Sequence, residues 1–321
     1  MPAATSNTPE SRSSAALAHR LIAHVSRVFI GKDAVVTDAV LTLLSGGHVL
    51  LEDVPGLGKT LLAKALARSL SADFKRVQFT ADLLPSDITG VTVLTPERND
   101  FTFRPGPIFT NILLGDEINR ATPRTQSSLL EAMEEQNVTV DGQAYPLASP
   151  FFVLATQNPV ELEGTYPLPF AQMDRFMIRL SIGYLDRQWE VKLLQQQRLG
   201  DPLDQLEPVM DCETLLKIQS DVRAVRVEDS LAGYIVDLVN ATRRDTTLEF
   251  GASPRGTLDI QRFSQAVALL AGRDYILPDD IKHAARRILP HRLIIKKGTR
   301  SVSVNARAVI DHIVDSVPVP V

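Results

Sequence analysis

The order of apolar segments predicts an α/β chain: a mainly parallel five-stranded sheet between helices, interrupted by two β-hairpins and followed by an all-α domain. Three observations predict it. Short apolar runs alternate with helical patterns from Ala16 to about Tyr184; a glycine-containing loop joins the first of those runs directly to a helix; and beyond Leu185 only 3.6-residue spacing remains.

Taken in order, MPAATSNTPESRSS is rich in Ser, Thr, Ala and Pro and lacks an apolar stretch, so residues 1–15 are expected to be a disordered tail and not a secretory leader. Five apolar runs follow that read as buried strands: HVLLED (48–53), RVQFT (76–80), NILLGDE (111–117), FFVLATQN (151–158) and RLSIGY (179–184). Between them, TLLAKALARSL (60–70) carries leucines and alanines at helical spacing, and PRTQSSLLEAMEEQ (123–136) starts with Thr122 as N-cap and Pro123 in the first helical position. GVTVLTPERNDFTFRPGP (90–107) and NVTVDGQAYPL (137–147, with Asp141-Gly142) alternate about polar turns and predict the hairpins.

These elements define an α/β core over residues 16–185. A linker over 186–204 contains the helical pattern DRQWEVKLLQQQRL and the break Gly200-Asp201-Pro202, and a helical domain occupies 205–321.

With 321 residues and 44% hydrophobic content the chain can bury a sizeable core without staples. The net charge of -4 is spread along the sequence, which disfavours a nucleic-acid surface or a polybasic membrane patch. No stretch approaches the length of a membrane span. A single cysteine, Cys212, makes no internal disulfide; it fits a reducing, cytoplasmic compartment and reads as an inert half-buried thiol.

Chemistry concentrates at the strand ends. After HVLLED comes Pro55-Gly56-Leu57-Gly58-Lys59-Thr60, running straight into a helix, where backbone N–H groups and the helix dipole favour a phosphate. Lys59 would reach the outer phosphates and the Thr60 hydroxyl would ligate Mg²⁺. A lysine at a helix start opposes the macrodipole unless an anion is present. Asp53, however, stands where the G-x-x-x-x-G-K-[ST] pattern has its first glycine. Asp116 and Glu117 end a buried strand where open α/β sheets bind ligands, suiting metal binding and polarisation of an attacking water. Asn158 ends another strand and is a neutral residue suited to orienting that water, although by itself it reads better as a turn former before Pro159. Arg175 could be no more than a surface partner of Asp174 or another nearby acid. Arg255 falls in the first turn of a helix after Ser253 and Pro254, a place that calls for an anion, whether a phosphate or a carboxylate.

Taken together, LEDVPGLGKT, LLGDEINRATPRTQSSLLEAMEE, ATQNP, DRF and GASPR closely resemble the MoxR family of AAA+ ATPases, over nearly the whole chain after the tail. The resemblance implies a P-loop AAA+ core with a helical lid, using ATP and Mg²⁺. It assigns Lys59 and Thr60 to the Walker A motif, Asp116 and Glu117 to Walker B, Asn158 to sensor 1, Arg175 to an arginine finger and Arg255 to sensor 2. Ile30 and Gly31 match the stretch that lies along the adenine, and the hairpins match the helix-2 insert and the presensor 1 hairpin.

It further implies a homo-oligomer, a hexameric ring with sites shared between subunits, in which a finger works in trans. The expected work is remodelling, maturation or activation of a protein client, with a von Willebrand factor A domain protein as a possible partner. Two alternatives stay open at this level: a non-hydrolysing, nucleotide-gated assembly module and a DNA-remodelling motor. The complete catalytic set argues against the first, and the acidic balance against the second.

Overall fold

The computed structural model describes residues 9–54, 56–95, 100–159, 164–198, 200–296 and 305–320. Helix α1 (Pro9–Val28) and helix α2 (Asp33–Leu44) precede the first strand. The helix takes in residues 9–15 of the segment expected to be a tail, whose residues 1–8 lie outside the described residues. A buried stripe of Ala15, Ala18, Leu21, Val25 and Val28 recurs every three or four residues, and Ser14 Oγ donates to Asp221 Oδ2 at 2.6 Å. Proline at Pro9 suits a first helical position.

The core continues β1 (Val49–Glu52), α3 (Lys59–Ser69), β2 (Phe74–Gln78), α4 (Pro85–Thr89), β3 (Gly90–Thr95), β4 (Asp100–Pro105), β5 (Ile112–Asp116), α5 (Pro123–Glu135), β6 (Asn137–Val140), β7 (Gln143–Pro146), β8 (Phe152–Gln157), α6 (Phe170–Met173) and β9 (Ile178–Leu180). The main sheet is parallel, in the order β2-β5-β8-β1-β9. β1, β5 and β8 lie inside it and are almost wholly buried, which is why their sequences read as continuous apolar runs. β2 is an edge strand, and Lys75, Arg76 and Gln78 are exposed on it, so its sequence is not a continuous apolar run. The pairs β3–β4 and β6–β7 are the two hairpins. Asp141 and Gly142 both take positive φ (49° and 80°), as the tight turn of the second requires.

β9 is shorter than the 179–184 run suggests, because the chain bends at Ser181–Gly183, with Gly183 at φ 65°, to meet the Asp53 carboxylate. Beyond it come α7 (Arg187–Gln197), α8 (Cys212–Ala224), α9 (Asp229–Arg244), β10 (Leu248–Phe250), α10 (Pro254–Leu270), α11 (Pro278–Ile288), β11 (Ile294–Ile295) and α12 (Ala306–Ser316). The lid is therefore not purely α-helical: β10 and β11 form a short antiparallel pair, extended by Lys296 N–H donating to Thr247 O at 2.9 Å. Much of the expected linker is helix α7.

Two apolar cores result. One lies between the sheet and α5. The other runs without a break from the opposite face of the sheet through α1, α2 and α3 into the lid helices α8 to α12. Among the described residues no helix is long and apolar enough to cross a membrane.

Candidate nucleotide site

Three carboxyl-terminal strand ends of one parallel sheet, those of β1, β5 and β8, meet beside the start of α3. The loop after β1 turns through Gly56 and Gly58, both at φ 86°, a left-handed conformation that side chains other than glycine rarely take. Gly58 is the N-cap of α3 and Lys59 its first residue. Pro55 lies outside the described residues. Lys59 is buried, and its Nζ donates to the Asp53 carbonyl at 2.5 Å. Burial pushes its ammonium pKa down, against the pull of Asp53, Asp116 and Glu117.

Lys59, Thr60, Asp116, Glu117 and Asn158 line one cavity of about 270 Å³ together with Gly56 and Gly58. Asp116 Oδ1 accepts from Thr156 Oγ1 at 2.6 Å, which orients the carboxylate. Glu117 has φ 56° and ψ 49°, an uncommon backbone for a non-glycine residue and a form of strain concentrated at functional sites. It is held there by its N–H donating to Thr156 Oγ1 at 2.8 Å. Gln78 Nε2 and Arg120 donate to Glu117 Oε2 at 2.9 and 3.2 Å. Asn158 is buried and its carbonyl accepts from Asn119 Nδ2 at 3.3 Å. Gly115 leaves room behind the pair: a Cβ there would come within 3.2 Å of Ile118 Cγ2 and 3.3 Å of the Phe79 ring.

A second cavity of about 330 Å³ shares Gly56 and Gly58 with the first. Phe29, Ile30, Leu57, Leu61, Ile182 and Tyr184 give it mainly apolar walls. A polar end with a buried cation joined to an apolar slot is the shape of a site for a phosphate-bearing aromatic base. Ile30 faces this slot. Gly31 instead lies under the Trp189 indole, where a Cβ would approach Cγ to 2.5 Å.

The donor set also suits a hard, largely hydrated cation. Among the described residues no group of three or more His, Cys, Asp or Glu forms a protein-only cage, whereas one hydroxyl and one carboxylate beside a phosphate cradle are what Mg²⁺ uses with nucleotides.

Arg175 and Arg255 are elsewhere. Both pair with Glu134 at the end of α5: Arg175 Nη2 lies 3.1 Å from Oε2, and Arg255 Nη2 meets Oε1. Arg175 does not pair with Asp174. The cavity around them, about 290 Å³, includes His48 and Met177, which precede β1 and β9, so it opens at the amino-terminal edge of the sheet, opposite the glycine loop. The carboxylate partner that Arg255 demanded is therefore Glu134. Ser253 occupies the N-cap position of α10, but its hydroxyl donates to Asp174 Oδ2 at 2.7 Å rather than to the helix.

Several residues of weight were missed from sequence. Arg76 Nη2 and Nε reach Asp116 Oδ2 at 2.7 and 3.2 Å, occupying the carboxylate oxygen that Thr156 leaves free. The signal was there in period-two polar residues, Arg76 and Gln78, on a strand next to β5. Arg292 is fully buried and bridges Asp174 Oδ1 (2.7 Å) and Asp259 Oδ2 (2.6 Å), tying the segment beside Arg175 to the lid. Nothing local in LPHR announces it. Cys212 is half-buried, and burial first, then Asp211 and Asp73, push its thiol pKa up, away from the reactive thiolate.

Residues 48–178 match the family described as "ATPase family associated with various cellular activities (AAA)", and residues 240–313 match an AAA lid domain. The chain is 49% identical to the uncharacterized Bacillus subtilis protein YeaC, over 94% of each chain. It is 39% identical to chaperone MoxR1 of Mycobacterium tuberculosis, over 94% of this chain and 82% of that one. A crystal structure from Cytophaga hutchinsonii, provisionally described as an ATPase, superposes with a TM-score of 0.90 at 38% identity, covering 97% of both chains. With the glycine loop, the paired carboxylates, the hairpins and the lid in one arrangement, the chain belongs to the MoxR family of AAA+ ATPases.

Proposed function

We propose that this protein hydrolyses ATP with Mg²⁺ at sites completed by a neighbouring copy, and uses the turnover to remodel or activate a protein client. The observation that carries the reading is the division of the catalytic set. Lys59, Thr60, Asp116, Glu117 and Asn158 share one cavity, while Arg175 and Arg255 sit at the opposite edge of the same sheet. Arginines on that edge are remote from this chain's own glycine loop and would serve the phosphates of a neighbouring copy on exchanging Glu134 for them, through head-to-tail contacts of the kind that close into rings. Six subunits is the number the family resemblance implies.

In the site, the backbone around Gly56 and Gly58 would cradle the phosphates, Leu57 and Ile30 would flank the base, and Lys59 would neutralise the outer phosphates. Thr60 and Asp116 would hold Mg²⁺. Bound MgATP supplies the electrophilic phosphorus and the metal's charge neutralisation. Glu117 accepts the proton of the attacking water and Asn158 orients that water. Thr156, bonded to the Asp116 carboxylate and to the Glu117 N–H, fixes the Asp116 side chain relative to the Glu117 backbone. The arginines of the neighbour stabilise charge that develops in the transition state. The relative named chaperone MoxR1 supports a protein client, and a von Willebrand factor A domain protein is the partner class the family suggests.

The test is phosphate release by purified chain against Glu117→Gln. The substitution is expected to lower turnover by at least about 100-fold, the scale of a lost general base, with ATP affinity kept within a few-fold. Equal turnover would remove Glu117 from the reaction.

A further inference from the structure

Asp53 occupies the position of the first glycine in the phosphate-loop pattern, yet it is not among the described non-glycine residues with positive φ. The left-handed turns fall on Gly56 and Gly58 instead. The position does not need glycine's freedom, and what a side chain does there is visible. Asp53 is 8% exposed. Its carboxylate accepts from three donors in succession on the chain that leaves β9: Ser181 Oγ at 3.0 Å, the Ile182 N–H, and the Gly183 N–H at 3.4 Å. Its own N–H donates to Gln157 O at 3.3 Å and its carbonyl accepts from Lys59 Nζ.

The segment so held is a wall of the apolar slot. Ile182, Gly183, Tyr184 and Leu185 face Phe29 and Ile30 across it, and Lys32 Nζ pins Tyr184 O from the other side at 2.8 Å. Beyond Leu185 the chain becomes α7 and leads to the lid. One residue thus bonds through its main chain to the phosphate-binding lysine and through its side chain to the base-binding wall.

We propose that Asp53 is a positioning residue that holds the base-binding wall at a fixed distance from the phosphate loop, so that it sets affinity for the base and not for the phosphates. The inference rests on the nucleotide reading above. A carboxylate is suited to the task because it accepts several hydrogen bonds from adjacent N–H and O–H groups at once, as in a nest or an N-cap. Glycine at this position would leave two backbone N–H groups and a hydroxyl to find water, and the wall would be free to drift.

The experiment measures binding of two probes by the full chain in Mg²⁺: ATP, and inorganic tripolyphosphate, which has the phosphates without the base. Asp53→Gly, the change toward the common loop pattern, is expected to weaken ATP about tenfold, the loss of roughly one charged hydrogen bond's worth of preorganisation. Tripolyphosphate affinity should stay within about twofold of wild type. Asp53→Asn keeps a carbonyl oxygen for the Ile182 N–H and should recover most of the ATP affinity. Ser181→Ala, which leaves the phosphate loop untouched, should weaken ATP about threefold in the same base-dependent way and serves if the glycine variant does not fold. In steady state Asp53→Gly should raise KM for ATP while leaving kcat within about twofold. Equal loss of both probes would make Asp53 a holder of the loop and overturn the proposal, as would no loss of either. Wild type that binds neither probe would instead overturn the nucleotide reading, and this proposal with it.

Discussion

Replacing Arg292 with methionine should destabilise the protein more than any single change at the nucleotide site. The side chain is 1% exposed, and its guanidinium serves two carboxylates and four carbonyls. Nε bonds Asp174 Oδ1 at 2.7 Å and Nη2 bonds Asp259 Oδ2 at 2.6 Å, with further bonds to the carbonyls of Asp174, Phe176, Met177 and Ile288 at 2.9–3.2 Å. Methionine fills similar volume but removes the cation bonded to both carboxylates, leaving Asp259 only the weaker pull of Arg262. Removing one partner of a buried ion pair costs about 3–5 kcal/mol. At roughly 2 °C per kcal/mol for a chain of this size, melting should fall on the order of 10 °C.

The loss should also depend on pH. Burial, more than the opposing pull of Arg292 and Arg262, already raises the Asp259 carboxyl above its ordinary 3.8. A group whose folded pKa is raised binds its proton more readily folded than unfolded, so stability falls as pH rises from about 3.8 through the folded value. Without Arg292 that window extends upward. The deficit of Arg292→Met relative to wild type, read from urea midpoints, should therefore be smaller at pH 5 than at pH 8. A deficit under about 1 kcal/mol, or one that does not change with pH, would refute the reasoning.

His48 tests a second buried group. Its Nδ1 accepts from the Val153 N–H at 3.1 Å, so its Nε2 carries the proton toward Met133 O, and burial lowers its pKa from 6.5 to about 4. Such a histidine contributes stability above pH 6.5 that is lost as pH falls toward 4, by up to roughly 3 kcal/mol; His48→Gln should flatten that slope in a pH series of melts, and an unchanged slope would remove His48 from it. Arg76→Ala frees an oxygen of Asp116, so turnover should need several-fold less Mg²⁺ at low salt; an unchanged Mg²⁺ midpoint would mean the pair yields to the cation at no cost. Mixing Arg175→Ala with Lys59→Ala subunits should restore a fraction of wild-type phosphate release, since each mixed interface can hold one intact site; no recovery in demonstrably mixed assemblies would count against sharing.

What the sequence reveals about this molecule follows the range of the interactions. Strands β1, β5 and β8 are legible because their burial is a property of the strand itself, and the glycine loop is legible because its turn and its lysine are contiguous. The end of β9 is not legible: it is set by a carboxylate 128 residues earlier in the chain that captures the Ser181 hydroxyl. Arg292 is hidden for the same reason, since its carboxylates lie 118 and 33 residues away in sequence. Arg175 and Arg255 could be picked out singly, but their meeting on Glu134 depends on how the lid packs against α5, which no local pattern encodes. The start of α1 shows the opposite failure: polar composition near the terminus argues for disorder, and contacts with α8 win.

The unbroken core that runs from α3 through α1 and α2 into the lid bears on how the chain divides. By family resemblance it splits into a core over 48–178 and a lid over 240–313, and α1 and α2 fall in neither. Yet those two helices present Leu21, Val25, Leu43 and Leu44 to a core that the lid completes. Cutting the chain after β9 would strip that cover and leave a wide apolar face in water, a surface that invites aggregation. The segments that match known families and the apolar core that joins them are, in this protein, drawn along different lines.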